Sequence, residues 1–111
     1  MTSSVDSGRS TPAGLEVVVD DEIVVLTVRG HLDATVGDAV TAATEGAVRR
    51  QARRLDIDLR EVVSFTLEGV AALRSCRSLA AGLREGLHYR TGRGAGRQAL
   101  LAAYPRTVVE L

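Results

Sequence analysis

Lysine and asparagine are both absent from the 111 residues, so all fourteen basic side chains are arginine. Neither a Schiff-base or P-loop lysine nor a catalytic asparagine can operate here. Tryptophan is missing and the aromatics reduce to Phe65, Tyr89 and Tyr104, too few to build stacking platforms for single-stranded nucleic acid or sugars. A single cysteine, Cys76, excludes an internal disulfide. Net charge is lacking too: fourteen acidic side chains offset the fourteen arginines, and no global field draws in nucleic acid or an anionic membrane. No charged-then-apolar N-terminal stretch reads as a secretory signal, so the expected compartment is the cytoplasm.

What is present is an ordinary globular composition, 45% apolar and 25% charged, at a length that suits one hydrophobic core. Residues 1–14 are rich in Ser, Thr and Gly and poor in sizeable apolar side chains, which predicts a disordered tail, with the folded domain spanning 15–111. Leu15–Val19 and Glu22–Val28 are two β-branched runs around an acidic pair, the pattern of a β-hairpin. The second run alternates little, so it is expected near the centre of the sheet, covered on both faces or nearly so.

Gly30 to Thr35 then ends the strand. Val36, Val40, Ala43, Ala47 and Val48 recur at three and four, predicting an amphipathic helix over 36–52 that closes on the arginines at 49, 50, 53 and 54, a solvated last turn. Leu55, Ile57 and Leu59 alternate with Asp56 and Asp58, the clearest strand signal in the chain. Arg60 to Phe65 reads as a connector. Val70, Leu73, Cys76, Ala80 and Leu83 form the apolar stripe of a second helix starting near Glu68. A short strand over 87–90, a glycine loop over 92–96, a helix over 97–103 and a last strand over 107–111 complete the order β-β-α-β-α-β-α-β. Strands alternating with helices require right-handed crossovers, so the expected fold is a small single-domain α/β unit with a mixed sheet and helices mainly over one face.

Two short motifs within this order resemble the STAS domain of bacterial anti-sigma-factor antagonists. Val28-Arg29-Gly30-His31-Leu32-Asp33-Ala34 is similar to the family's strand-ending Gly-x-Leu-Asp at the mouth of the first helix. Asp58-Leu59, followed by a turn and Thr66-Leu67-Glu68-Gly69, resembles its Asp-Leu, turn and Asp-Ser-Ser-Gly at the start of the second. The resemblance implies a non-enzymatic regulator without a cofactor. Its partner would be an anti-sigma factor or related kinase-like regulator, released when the first serine of the motif is phosphorylated. By position Leu67 stands where that serine belongs, Thr66 replaces the Asp, Glu68 the second serine, and only Gly69 matches. Leu67 has no hydroxyl, so the ordinary switch cannot operate there. Ser64 and Thr66 are the nearest alternative phosphoacceptors, although Thr66 is also explained as a helix N-cap. Glu68 is a first-turn acid or a permanent, partial imitation of phosphate. The expected partner-binding residues are Asp33, Thr66, Leu67, Glu68 and Gly69, with Arg74 and Arg77 at the rim.

Other features point elsewhere. Arg90, Arg93 and Arg97 around Gly92, Gly94 and Gly96 are the elements of an anion or nucleotide site, the alternative reading, although neither Walker nor dinucleotide spacing is met. Cys76 lies on the apolar stripe and reads as core, His31 as a loop residue near Asp33, and no metal-ligand spacing appears. No Ser-His-Asp order or paired-acid motif suggests a hydrolase or transferase. The family usually carries a further helix after its last strand; without it, sheet surface is expected to be exposed, which favours a homodimer while leaving a monomer open.

Overall fold

The computed structural model describes residues 13–104. The expected tail therefore falls outside the described residues, save for a turn at Ala13 and Gly14, as does the expected last strand over 107–111. The described chain runs β1 (Leu15–Asp20), β2 (Ile23–Leu32), α1 (Ala34–Arg49), β3 (Arg54–Phe65), α2 (Leu67–Leu79), a 3-10 turn (Ala80–Gly82), β4 (Leu87–Arg90) and α3 (Ala95–Ala103). The sheet has the order β1-β2-β3-β4, with β1 antiparallel to β2 and the remaining pairs parallel.

Local chemistry sets the turns. Asp21 and Glu22 both take positive φ, 51° and 73°, the requirement of the tight two-residue hairpin whose hand matches the twist of its strands. At the end of α1, Gln51 takes φ 59° while the amides of Gln51 and Ala52 donate to the carbonyls of Val48 and Ala47. That Schellman closure ends the helix at Arg49, before the expected 52. Arg53 and Arg54 consequently leave the helix, and Arg54 becomes the first residue of β3.

The register separates the two faces of the sheet. Leu26, Ile57 and Tyr89 lie side by side, as do Val24, Leu55 and Leu87, and this face meets the helices. Leu26, Leu32, Leu55, Ile57, Leu59 and Leu73 are fully buried. The opposite face carries Val25, Asp56 and His88 in one row and Thr27, Asp58 and Arg90 in the next. β2 is thus interior to the sheet, as expected, but among the described residues it is covered on one face alone: Val24, Leu26 and Val28 are buried while Ile23, Val25 and Thr27 are half-buried.

One expected connector is a strand. Arg60–Phe65 continues β3, because β2 itself runs on to Leu32 and offers partners as far as Leu32↔Phe65. Register shifts beside Arg29 and Gly30, the latter at φ 78°, insert bulges there and destroy the alternation that would have betrayed the pairing.

Candidate functional site

β2 and β3 are parallel and finish together, so the residues that follow Leu32 and Phe65 enter their helices side by side. Both are extended capping residues. The Oδ1 of Asp33 accepts the amide of Val36 at 3.0 Å, and the Oγ1 of Thr66 accepts the amide of Gly69 at 3.2 Å. The Thr66 amide donates to the Leu32 carbonyl at 3.0 Å, which ties the second cap to the strand below the first. The sheet thereby brings the two sequence motifs to one edge of the molecule.

Glycine is required at the centre of this arrangement. A Cβ on Gly69 would stand 2.1 Å from the Leu32 carbonyl oxygen, and one on Gly37 would stand 3.0 Å from the Ala72 Cβ. The first turn of α2 is therefore pressed onto the end of β2, and α1 packs against α2 through small residues. Gly69 is buried and acts on the surface only through the position it allows α2 to take.

The neighbouring side chains are thrown outward. Leu67, at the first helical position, is 81% exposed, and Val63 at the end of β3 is 66% exposed. Glu68 is an exposed acid in the first turn. Along α2, Ala71, Arg74, Ser75 and Ser78 continue the exposed stripe that starts at Leu67. Arg77 is exposed but occupied: its guanidinium carbon lies 4.9 Å from the centre of the Tyr104 ring. The Tyr104 and Tyr89 hydroxyls both donate to the Leu73 carbonyl, at 2.7 and 3.2 Å, at the middle of α2. Burial pushes the Tyr89 phenol well above its ordinary range.

Of the two hydroxyls near Leu67, Thr66 is exposed and serves as the cap, and Ser64 is exposed in β3, hydrogen-bonded to Nδ1 of His31. His31 is a strand residue opposite Ser64, not a loop residue beside Asp33; the strand continues past Gly30 to Leu32. Sequence reasoning missed the His31–Ser64 pair and the exposure of Val63, since both depend on the bulged register. The signal was Gly30, a residue that marks a bulge when it interrupts a strand.

The arginines of the alternative site belong to different segments: Arg90 to β4, Arg93 to the loop after it, and Arg97 to α3. Arg90 lies on the helix-free face, 3.5 Å from Asp56, while Arg93 and Arg97 are exposed near the start of α3. Gly96 is accounted for by packing, since its Cβ would fall 1.9 Å from the Leu59 carbonyl oxygen. Cys76 is buried against Thr44, whose hydroxyl is 3.2 Å from Sγ, and burial pushes the thiol pKa up. Among the described residues no cluster of three or more His, Cys, Asp or Glu side chains is placed to hold a metal, and no helix is long and apolar enough to cross a membrane.

No family model and no curated protein matches the chain. Solved structures do. The chain is similar to the anti-sigma factor antagonist SpoIIAA in its unphosphorylated form, with a TM-score of 0.63 and 16% identity over 78% of this chain and 80% of that one. An anti-sigma factor antagonist from Mycobacterium paratuberculosis matches with a TM-score of 0.66 and 20% identity, covering 86% and 87% of the two chains. Mglu aligns at a TM-score of 0.54 and 20% identity over 70% of this chain but 19% of its own, so the shared unit is a small part of that protein. At these identities the likeness is one of architecture: the chain has the STAS-like α/β fold found in anti-sigma factor antagonists.

Proposed function

We propose that this chain is a non-enzymatic, cytoplasmic protein-binding domain that acts as an anti-sigma-factor antagonist in a bacterium. It docks its partner through the paired helix starts and the exposed face of α2. Asp33 and Thr66 fix the two first turns, Leu67 and Glu68 present the contact, Gly69 sets the approach of α2, and Arg74 and Arg77 border it. The partner is an anti-sigma factor or a kinase-like regulator of that kind, not nucleic acid or a membrane.

The observation that carries this reading is Leu67, held 81% exposed at the first position of α2. Covering a leucine in an interface contributes roughly 1.5–3 kcal/mol, whereas leaving it in water contributes nothing. A phosphoserine there would add roughly −1.5 to −2 charge and three acceptor oxygens at a helix start. Leucine supplies neither, and Glu68 supplies one permanent negative charge. The surface is accordingly a fixed docking face without an on-off modification at position 67.

Calorimetric titration against purified anti-sigma kinases encoded by the source genome, with and without ATP, tests it. One kinase is expected to bind the wild type with an affinity unchanged by ATP, and Leu67→Asp to weaken that binding about tenfold or more. Leu67→Ser is expected to make binding ATP-sensitive. Wild-type binding that ATP abolishes, with phosphate on Ser64 or Thr66, overturns the unswitched reading; unaltered binding by Leu67→Asp overturns the site.

A further inference from the structure

We infer that the outer edge of β1 is a dimer interface that pairs with β1 of a second copy about a two-fold axis. This goes beyond the docking of a partner at α2.

β1 is the first strand of the sheet order, and among the described residues nothing pairs with its outer edge. The direction of its backbone groups follows from the ladder. The Arg29 amide donates to the Gly14 carbonyl at 2.8 Å, which makes 14 and 29 a hydrogen-bonded pair. Antiparallel pairs alternate between bonded and non-bonded. Glu16, Val18 and Asp20 therefore turn their amides and carbonyls inward to β2, while Leu15, Val17 and Val19 turn theirs out to the free edge.

On its helix side that edge lacks the usual protections. Natural edge strands carry lysine, proline or an inward charge. Here three consecutive valines occupy the middle of the strand, 37%, 45% and 44% exposed, so the helix-side face is apolar throughout, while the other face carries Val18 between Glu16 and Asp20. Beside the edge, Val17 and Val19 line a groove of about 700 Å³ whose other wall is the small-residue stripe Ala39, Ala42, Ala43 and Gly46 of α1, with Arg49 and Arg50 of the same helix end also lining it. The depth of that groove comes from small side chains, which leave space for valines of the other copy.

Charge selects the occupant and its register. In an antiparallel pair, opposite residues share a face, and outward-turned residues must meet outward-turned residues. Centring the axis on Val17 meets both conditions. Val17 then exchanges bonds with Val17 of the second copy, Leu15 with its Val19, and Val19 with its Leu15. Every opposed pair on the helix side is apolar. On the other face Glu16 lies opposite a valine and keeps its ion pair with Arg29, at 3.1 Å. Centring the axis one residue on, at Val18, would instead oppose Glu16 and Asp20, two carboxylates, and would lose the bonds at Leu15. Self-pairing at Val17 thus matches the outward-turned hydrogen-bonding groups and opposes no like charges within the strand pair. Because α1 and β2 separate β1 from α2, both α2 docking faces stay uncovered.

Sedimentation equilibrium of the full chain across micromolar concentrations is the test, together with cross-linking. The expected species is twice the 11.7 kDa chain mass. Val17→Pro removes an amide that β2 does not use, so the dimer is expected to be lost while circular dichroism of the dilute monomer is unchanged. Val17→Lys provides a second disruption if the proline perturbs the strand. Under mild oxidation Val17→Cys is expected to form a covalent dimer and Val18→Cys to form none. A wild type that remains monomeric overturns the proposal. So does a dimer that survives both Val17 substitutions, a dimer that appears only after residues 1–12 are removed, or cross-linking through position 18 in place of 17.

Discussion

The two faces of the β-sheet are built from the same strands and held by different forces. On the helix side Leu55, Ile57 and Leu59 of β3 are completely buried beneath α1, α2 and α3. On the other side Asp56 and Asp58 of the same strand are also nearly inaccessible, 2% and 6% exposed, although no helix covers them among the described residues. Arginine provides the cover. Arg54 grips Asp56 with two bonds, at 2.9 and 3.2 Å, and Arg90 reaches it from β4 at 3.5 Å. Arg60 grips Asp58 at 3.0 and 2.7 Å and adds its own amide at 3.0 Å. Planar guanidinium groups laid across a sheet shield carboxylates, and their heads remain in water. A sheet face can therefore be closed to solvent without a second layer. The difference is in energy: apolar burial is strong, while ion pairs with one partner half in water contribute little.

Substitutions on alternate residues of β3 test this contrast. Ile57→Ala should destabilise most, by about 2–5 kcal/mol in chemical denaturation, since it removes transferred surface and leaves a cavity. Next door, Asp58→Asn should cost only about 1 kcal/mol at pH 7. A loss at Asp58 equal to that at Ile57 would break the comparison.

Acid sharpens it. The Arg60 guanidinium holds the Asp58 carboxyl below the usual carboxylate range, with burial opposing the shift. A carboxyl depressed in the folded state adds stability above its unfolded pKa, and that stability is lost as pH falls through the folded value. The gap between wild type and Asp58→Asn should hence shrink below about pH 4, while the gap for Ile57→Ala persists. Denaturation curves at several pH values measure both.

The smallest effect belongs to neither face. Gln51 occupies the left-handed position that closes α1, with φ 59°. Gln51→Gly should raise stability by about 0.5–1 kcal/mol, seen as a higher melting temperature with no change in partner binding.

Much of the fold was legible in the chain because its signals are local. Leu55 to Leu59 alternate, and the stripe from Val70 to Cys76 repeats at helical spacing, so β3 and α2 followed from side-chain periodicity alone. The candidate site was legible through the cap at Thr66 and, by resemblance, through Asp33, whose own capping role and the helix start at Ala34 instead of 36 come from the structure. Two other features were not. The extension of β3 to Phe65 depends on where β2 ends, and the burial of Asp56 depends on Arg90, a residue of another strand. Neither the bulge at Gly30 nor an arginine folded across a sheet leaves a periodic trace.

By itself the sequence determined the order of the described elements, the cap at Thr66, and the absence of a hydroxyl at position 67, because each rests on the chemistry of neighbouring residues. The tertiary structure alone decided that the two capped helix starts share one edge, that Gly69 must lack a side chain because the Leu32 carbonyl occupies its space, and that the Val17 edge faces outward. Those outcomes arise from contacts between residues far apart in the chain, whose closeness is set by strand pairing and packing.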